Sequence, residues 1–250
     1  MSTGETATTP ALDVRDITMR FGGNVAVDAV TIDALAGRIT GLIGPNGAGK
    51  TTLFNVICGL LAPTQGKVHL NGTDITRMKP FKRARHGLAR TFQRLELWSL
   101  LTVRENVTVA ADLRARYGSD DSDPRHDVES IIERVGLLPR IDARVDELPT
   151  GQARLVEIAR ALATRPHVLL LDEPASGLDD QETDQLATLL RSLAVEGMAV
   201  LLVEHDVELV MDVCDYIYVL DFGSIIATGT ADEVRRDDAV LAAYLGSSLA

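Results

Sequence analysis

The eight residues Gly44-Pro45-Asn46-Gly47-Ala48-Gly49-Lys50-Thr51 constrain this chain more than any other stretch, because they complete the pattern G-x-x-x-x-G-K-[ST]. Three glycines allow a tight turn whose N–H groups face a chain of phosphates, and the start of the following helix adds its positive dipole end. Lys50 is expected to reach the β- and γ-phosphates, and Thr51 to offer a hydroxyl to Mg²⁺, a hard cation that prefers oxygen. The flanks agree. Arg38 to Ile43 reads as a short apolar strand and Thr52 to Ile57 as a helix, the order such a loop requires.

With 250 residues and 46% hydrophobic composition, the chain can bury a sizeable core as one domain, with or without an inserted lobe. No apolar run approaches the ~18 residues of a membrane span, so any membrane role is expected to be peripheral. Residues 1–10, MSTGETATTP, lack the basic flank and apolar stretch of a signal peptide and read as a disordered tail on a cytoplasmic protein. Cys58 and Cys214 have no metal-ligand spacing and read as reduced core thiols. A net charge of −11 argues against a nucleic-acid partner, which calls for a basic surface. The basic cluster from Lys79 to Arg90 reads as a solvated helix face.

A second element follows at His167 to Pro174, where an apolar run ends in Asp172 and Glu173. A fully apolar run of this length suits a central strand of a parallel sheet covered on both faces, whose carboxyl end is where ligands bind. Asp172 is placed to help hold Mg²⁺, and Glu173 to orient or deprotonate an attacking water.

With these residues in place, the chain from about Leu12 to Leu245 resembles the ATP-binding cassette ATPases. Gln93, in Arg90-Thr91-Phe92-Gln93, matches the family's glutamine loop, and Leu148-Pro149-Thr150-Gly151-Gln152 falls where its Leu-Ser-Gly-Gly-Gln signature stands. Ser176-Gly177-Leu178-Asp179 matches the D-loop, His205 the switch histidine, and Phe21 the aromatic that stacks on adenine. The resemblance implies an α/β fold: a P-loop NTPase core with an antiparallel β subdomain and an inserted α-helical subdomain. It implies ATP and Mg²⁺ as ligands, with residues 44–52, ending at Thr52, around the phosphates and Thr51, Gln93 and Asp172 around the metal. It also implies two cassettes facing head to tail, in a homodimer or heterodimer, each ATP lying between one subunit's phosphate loop and the other's signature helix.

One departure stands out. Pro149 replaces the usual serine and lacks both its hydroxyl and a backbone N–H. A lost hydrogen bond to a charged phosphate costs about 1.5–3 kcal/mol, so the site completed by this signature is expected to be weak or slow unless Thr150 substitutes.

Leu12 to Arg20, Val25 to Leu35 and Gly66 to Asn71 read as the antiparallel sheet, and residues 91–150 as the helical lobe, with helices over Val103 to Arg114 and Asp127 to Val135. Gly118 to Pro124 reads as a mobile acidic loop. Beyond it, helix Gln181 to Val195, strand Met198 to Val203 and helix Val207 to Cys214 alternate as a wound α/β unit. Leu95, Leu97, Trp98, Leu100 and Leu101 form an apolar cluster that serves either as helical-lobe core or as a docking groove for a membrane subunit.

Arg20-Phe21-Gly22-Gly23, Gly87 to Gln93, Leu101 to Asn106, Glu204 to Met211 and Ala243 to Gly246 are most similar to the ATPase subunits of branched-chain amino acid importers. That resemblance implies transmembrane permease subunits, a second ATPase subunit and an extracytoplasmic binding protein, with this chain on the cytoplasmic face of the membrane. Related importers for urea, amides or small carboxylates are the alternative. A soluble, non-transport cassette ATPase is a further one, disfavoured because such enzymes generally carry a coiled-coil insertion or two cassettes.

Overall fold

Three buried apolar strands, β3 (Ile39–Ile43), β7 (Val168–Asp172) and β8 (Ala199–Val203), form the centre of the molecule. Every residue in them is buried, as parallel strands covered on both faces require. The structure is a computed structural model that describes residues 9–117 and 126–246. Most of the N-terminal tail and the acidic stretch Gly118 to Pro124 lie outside the described residues.

The larger sheet has six strands in the order β10-β9-β3-β8-β7-β6, adding β6 (Leu88–Arg90), β9 (Tyr216–Asp221) and β10 (Ser224–Gly229). All neighbours pair in parallel except β10, which folds back on β9. The second sheet has the order β2-β1-β4-β5 and is antiparallel throughout: β1 (Leu12–Phe21), β2 (Asn24–Ala34), β4 (Gln65–Leu70) and β5 (Thr73–Asp74). The three strands expected from the sequence are those of its β2-β1-β4 core.

One apolar cluster joins the antiparallel sheet to helix α1 (Lys50–Cys58) and one face of the parallel sheet, through Leu12, Ile17, Phe54, Leu170 and Leu201. The other face packs under α3 (Val103–Tyr117), α4 (His126–Arg134), α5 (Thr150–Ala163), α6 (Asp180–Val195) and α7 (Val207–Val213). In β7 the two faces alternate, Leu169 and Leu171 toward the helices and Val168 and Leu170 toward the antiparallel sheet. Helix α6 opens on a reciprocal cap, Asp179 accepting from Glu182 N and Glu182 reaching back to Asp179 N.

The sequence reading of Lys79 to Arg90 as a solvated helix face is corrected here. Only residues 80–85 form a helix, α2 (Pro80–Arg85), and Arg83 on it is 1% exposed. Its guanidinium donates to the carbonyls of Val56 and Ile57 at 2.8 and 2.6 Å, and to those of Met78 and Thr76 at 3.0 and 2.8 Å. The last turn of α1 leaves carbonyls short of helical partners; Gly59 N caps that of Val56 at 3.0 Å, and the buried guanidinium adds a donor there and supplies the one to Ile57. The Arg90 side chain, on β6, is also shielded from water, where it pairs with Asp172.

Cys58 and Cys214 are free and buried, and burial pushes both thiols up from their ordinary pKa. Among the described residues, no helix is long and apolar enough to cross a membrane.

Candidate nucleotide site

Strand order brings the three chemistry-bearing loops together. β3 runs into the glycine loop, β7 ends at Asp172-Glu173, and β8 ends before Glu204-His205. β8 lies between the other two strands, with Asp172 opposite Val203, so all three loops leave the same sheet edge. Such carboxyl ends are where open α/β sheets hold ligands.

The loop closes tightly over β9. At Gly44, φ is 153° and a Cβ would lie 1.9 Å from the Leu220 carbonyl oxygen; at Gly49, φ is 110° and a Cβ would meet the Ala26 oxygen at 2.5 Å. Only glycine fits either place. Lys50, the first residue of α1, is buried, and its Nζ donates to the carbonyls of Gly44 at 2.6 Å and Pro45 at 3.0 Å. Burial lowers its pKa, against the opposing pull of Glu173 and Asp172.

A cavity of ≈ 400 Å³ opens beside the loop. Its lining brings together Asn46 to Thr52 with Gln93, Glu173 and His205, residues up to 159 positions apart (205 minus 46). Glu173 is the hub: its Oε1 lies 2.5 Å from His205 Nε2, and Gln93 Nε2 donates to its two oxygens at 3.1 and 3.2 Å. The Glu173 backbone is held at φ 52°, anchored by its N–H to the Val203 carbonyl at 2.8 Å. Left-handed backbone costs a non-glycine residue about 1–3 kcal/mol and gathers at functional sites.

Asp172 does not line the cavity. Its Oδ2 accepts from Arg90 Nη2 at 2.9 Å, while Arg90 Nη1 donates to Asn55 Oδ1 at 2.7 Å. The Arg90 guanidinium also lies over the rings of Phe92 and Phe54, at 4.8 and 5.5 Å. Glu204 is buried behind His205. Its oxygens accept from Ala175 N at 2.7 Å and His205 N at 3.0 Å, tying the loop after β8 to the loop after β7, and burial raises its pKa.

Sequence reasoning missed Arg90 and Glu204. The available signal was a charge embedded in an apolar segment, Leu88-Ala89-Arg90 in one case and Val203-Glu204 in the other. Phe21, at the end of β1, is 48% exposed and lies outside the cavity lining, although its strand partner Asn24 lines it.

Pro149, Thr150, Gly151 and Gln152 lie apart from this cavity, at the start of α5. Pro149 is its N-cap, at φ −55° and ψ 153°, and its carbonyl accepts from Ala153 N at 3.0 Å. Gly151 is buried so closely against the D-loop that a Cβ would meet the Gly177 oxygen at 2.5 Å. Asp179 is occupied as the cap of α6.

A family profile described as ABC transporter matches residues 27–176. The chain belongs to the ABC transporter family. A second profile, described as branched-chain amino acid ATP-binding cassette transporter, matches residues 224–250. Among curated relatives, the high-affinity branched-chain amino acid transport ATP-binding protein BraF of Pseudomonas aeruginosa is 39% identical over 96% of this chain and 99% of its own. LivG of Escherichia coli, with the same description, is 38% identical over 96% of this chain and 99% of its own. The ADP conformation of MJ1267, an ATP-binding cassette of an ABC transporter, superposes with a TM-score of 0.85 at 32% identity, covering 96% of this chain and 100% of that one. The cassette is therefore a nucleotide-binding ATPase.

Proposed function

We propose that this cassette powers an importer for branched-chain or related amino acids, with residues 11–250 forming one nucleotide-binding domain and 91–150 its helical lobe. The observation that carries the reading is near-full-length identity of 38–39% to BraF and LivG, together with the C-terminal match over 224–250.

Within the site, Lys50 and the loop N–H groups bind the phosphates, Glu173 is the base for the attacking water, and His205 and Gln93 hold Glu173 in place. The donor set suits Mg²⁺. The hydroxyl of Thr51 and the amide oxygen of Gln93 line the cavity and are hard ligands, while Asp172, outside the lining and paired with Arg90, would act through an intervening water; so few protein donors match an ion that takes the rest from phosphates and water. When bound, that ion neutralises phosphate charge. The chain's own part is to hold Glu173 as a hydrogen-bonded acceptor beside Thr51.

The separation of α5's first turn from the cavity supports pairing with a second cassette, and one solved relative, MJ0796, is described as a dimer bound to ADP and Pi, with a TM-score of 0.79 at 26% identity over 88% of this chain and 98% of that one. A groove of ≈ 950 Å³ beside the glutamine loop, lined by Phe81, Phe92, Trp98, Leu113 and Tyr117, supports permease docking at the cytoplasmic face. Trp98 is 43% exposed and Leu100 is exposed, which supports docking through them, whereas Leu95 and Leu97 pack on the core.

The test is ATPase activity of the complete importer in proteoliposomes, with binding protein loaded in turn with leucine, urea and an amide. Stimulation by leucine supports the reading. Stimulation confined to urea or amide transfers the cassette to another cargo.

A further inference from the structure

The turn joining β9 to β10 rests on the phosphate loop. Gly223 N donates to the Ala48 carbonyl at 2.9 Å, and the Gly223 carbonyl accepts from Asp28 N at 2.8 Å. Asp221 pairs with Ser224, so Phe222 and Gly223 are the two central residues of the hairpin, with φ of 42° and 82°.

Positive φ at both central positions defines the tight hairpin turn that favours Asn, Asp or Gly at the first of them. A phenylalanine there is disfavoured, because its Cβ crowds the left-handed backbone. Its surroundings do not compensate, since Phe222 is 91% exposed. The residue nonetheless borders the cavity: Phe222 lines the same ≈ 400 Å³ space as Lys50 and Thr51, and its backbone N–H donates to Asp221 Oδ1 at 3.0 Å. Asn24, Val25 and Ala26 line that cavity too. Phe21, the aromatic assigned to adenine by resemblance, lies outside it.

We propose that Phe222 is a nucleobase contact, its ring packing against the purine of bound ATP as part of a wall shared with Val25 and Ala26. The proposal rests on ATP binding at the phosphate loop. A purine offers a flat π-face, which an aromatic ring on a turn already fixed by two backbone hydrogen bonds meets at little ordering cost.

The test compares ATP with inorganic tripolyphosphate, which has the phosphates and no base, by calorimetry on the purified full chain. Phe222→Asn suits the turn better than phenylalanine and removes the ring. ATP affinity is expected to fall about two- to tenfold, tripolyphosphate affinity to stay unchanged, and Phe222→Trp to retain ATP affinity. Unchanged ATP binding in Phe222→Asn overturns the proposal. So does an equal loss for both ligands, which would mean the turn only shapes the phosphate loop. A wild-type chain that binds neither ligand would instead contradict the phosphate-loop reading itself.

Discussion

Arg90 Nη2 lies 2.9 Å from Asp172 Oδ2, and both side chains are shielded from water. The pair joins the strand before the glutamine loop to the carboxylate at the end of β7. Removing one partner of a buried pair leaves a desolvated charge, which costs about 3–5 kcal/mol. Arg90→Gln should lose that much stability in urea unfolding, and adding Asp172→Asn should recover part of it. A loss under about 1 kcal/mol would show that water reaches Asp172 and that the pair is not structural.

Arg83 should prove as costly although it has no role in chemistry. It donates to the carbonyls of Ile57, Thr76 and Met78 and shares that of Val56 with Gly59 N. Arg83→Ala should destabilise by about 3 kcal/mol or more, lowering the thermal midpoint of a chain this long by roughly 6–12 °C. A midpoint within about 2 °C of wild type would mean the carbonyls find other donors.

Glu204 is predicted to matter through His205. Its two oxygens accept from the Ala175 and His205 N–H groups, and Glu204→Gln replaces it with a side chain of the same shape that stays neutral at every pH. Because burial raises its folded pKa, its favourable contribution is complete below the unfolded value of about 4.3 and is lost as pH rises through the folded value. Wild type should therefore lose stability relative to Glu204→Gln as pH rises across that window. Wild type gaining on the variant instead would contradict the assigned burial.

These three residues mark where sequence reading stopped. Strand, glycine loop and helix around Lys50 were legible because each step obeys a local rule, and so were the apolar strands ending at Asp172 and Val203. Arg83 and Arg90 were misread because a charge in a basic cluster is usually solvated; only the carbonyl ends of α1 and the position of Asp172 explain their burial. Phe222 carried no signal, since its oddity is a backbone angle and an exposure. The pairing of β8 between β3 and β7, which assembles the site, depends on contacts distant in sequence.

Pro149 should make two ATP sites unequal if the partner cassette is a different chain. As N-cap of α5 it has neither hydroxyl nor N–H to offer a phosphate held by the partner's loop. Pro149→Ser should tighten ATP-driven dimer closure by up to about tenfold to a hundredfold, the equivalent of a charged hydrogen bond. No change in closure, followed by light scattering against ATP concentration, would show that Thr150 already supplies the hydroxyl.

The arrangement of Gln93 and His205 on the Glu173 carboxylate carries the account of catalysis, and a single substitution tests it most directly. Glu173→Gln keeps the Lys50 loop and its phosphate contacts, and removes the base. Single-turnover hydrolysis in the assembled transporter should fall at least about a hundredfold while ATP affinity stays within about twofold of wild type. Hydrolysis at the wild-type rate would contradict the role of Glu173 as base and, with it, the functional reading of the site.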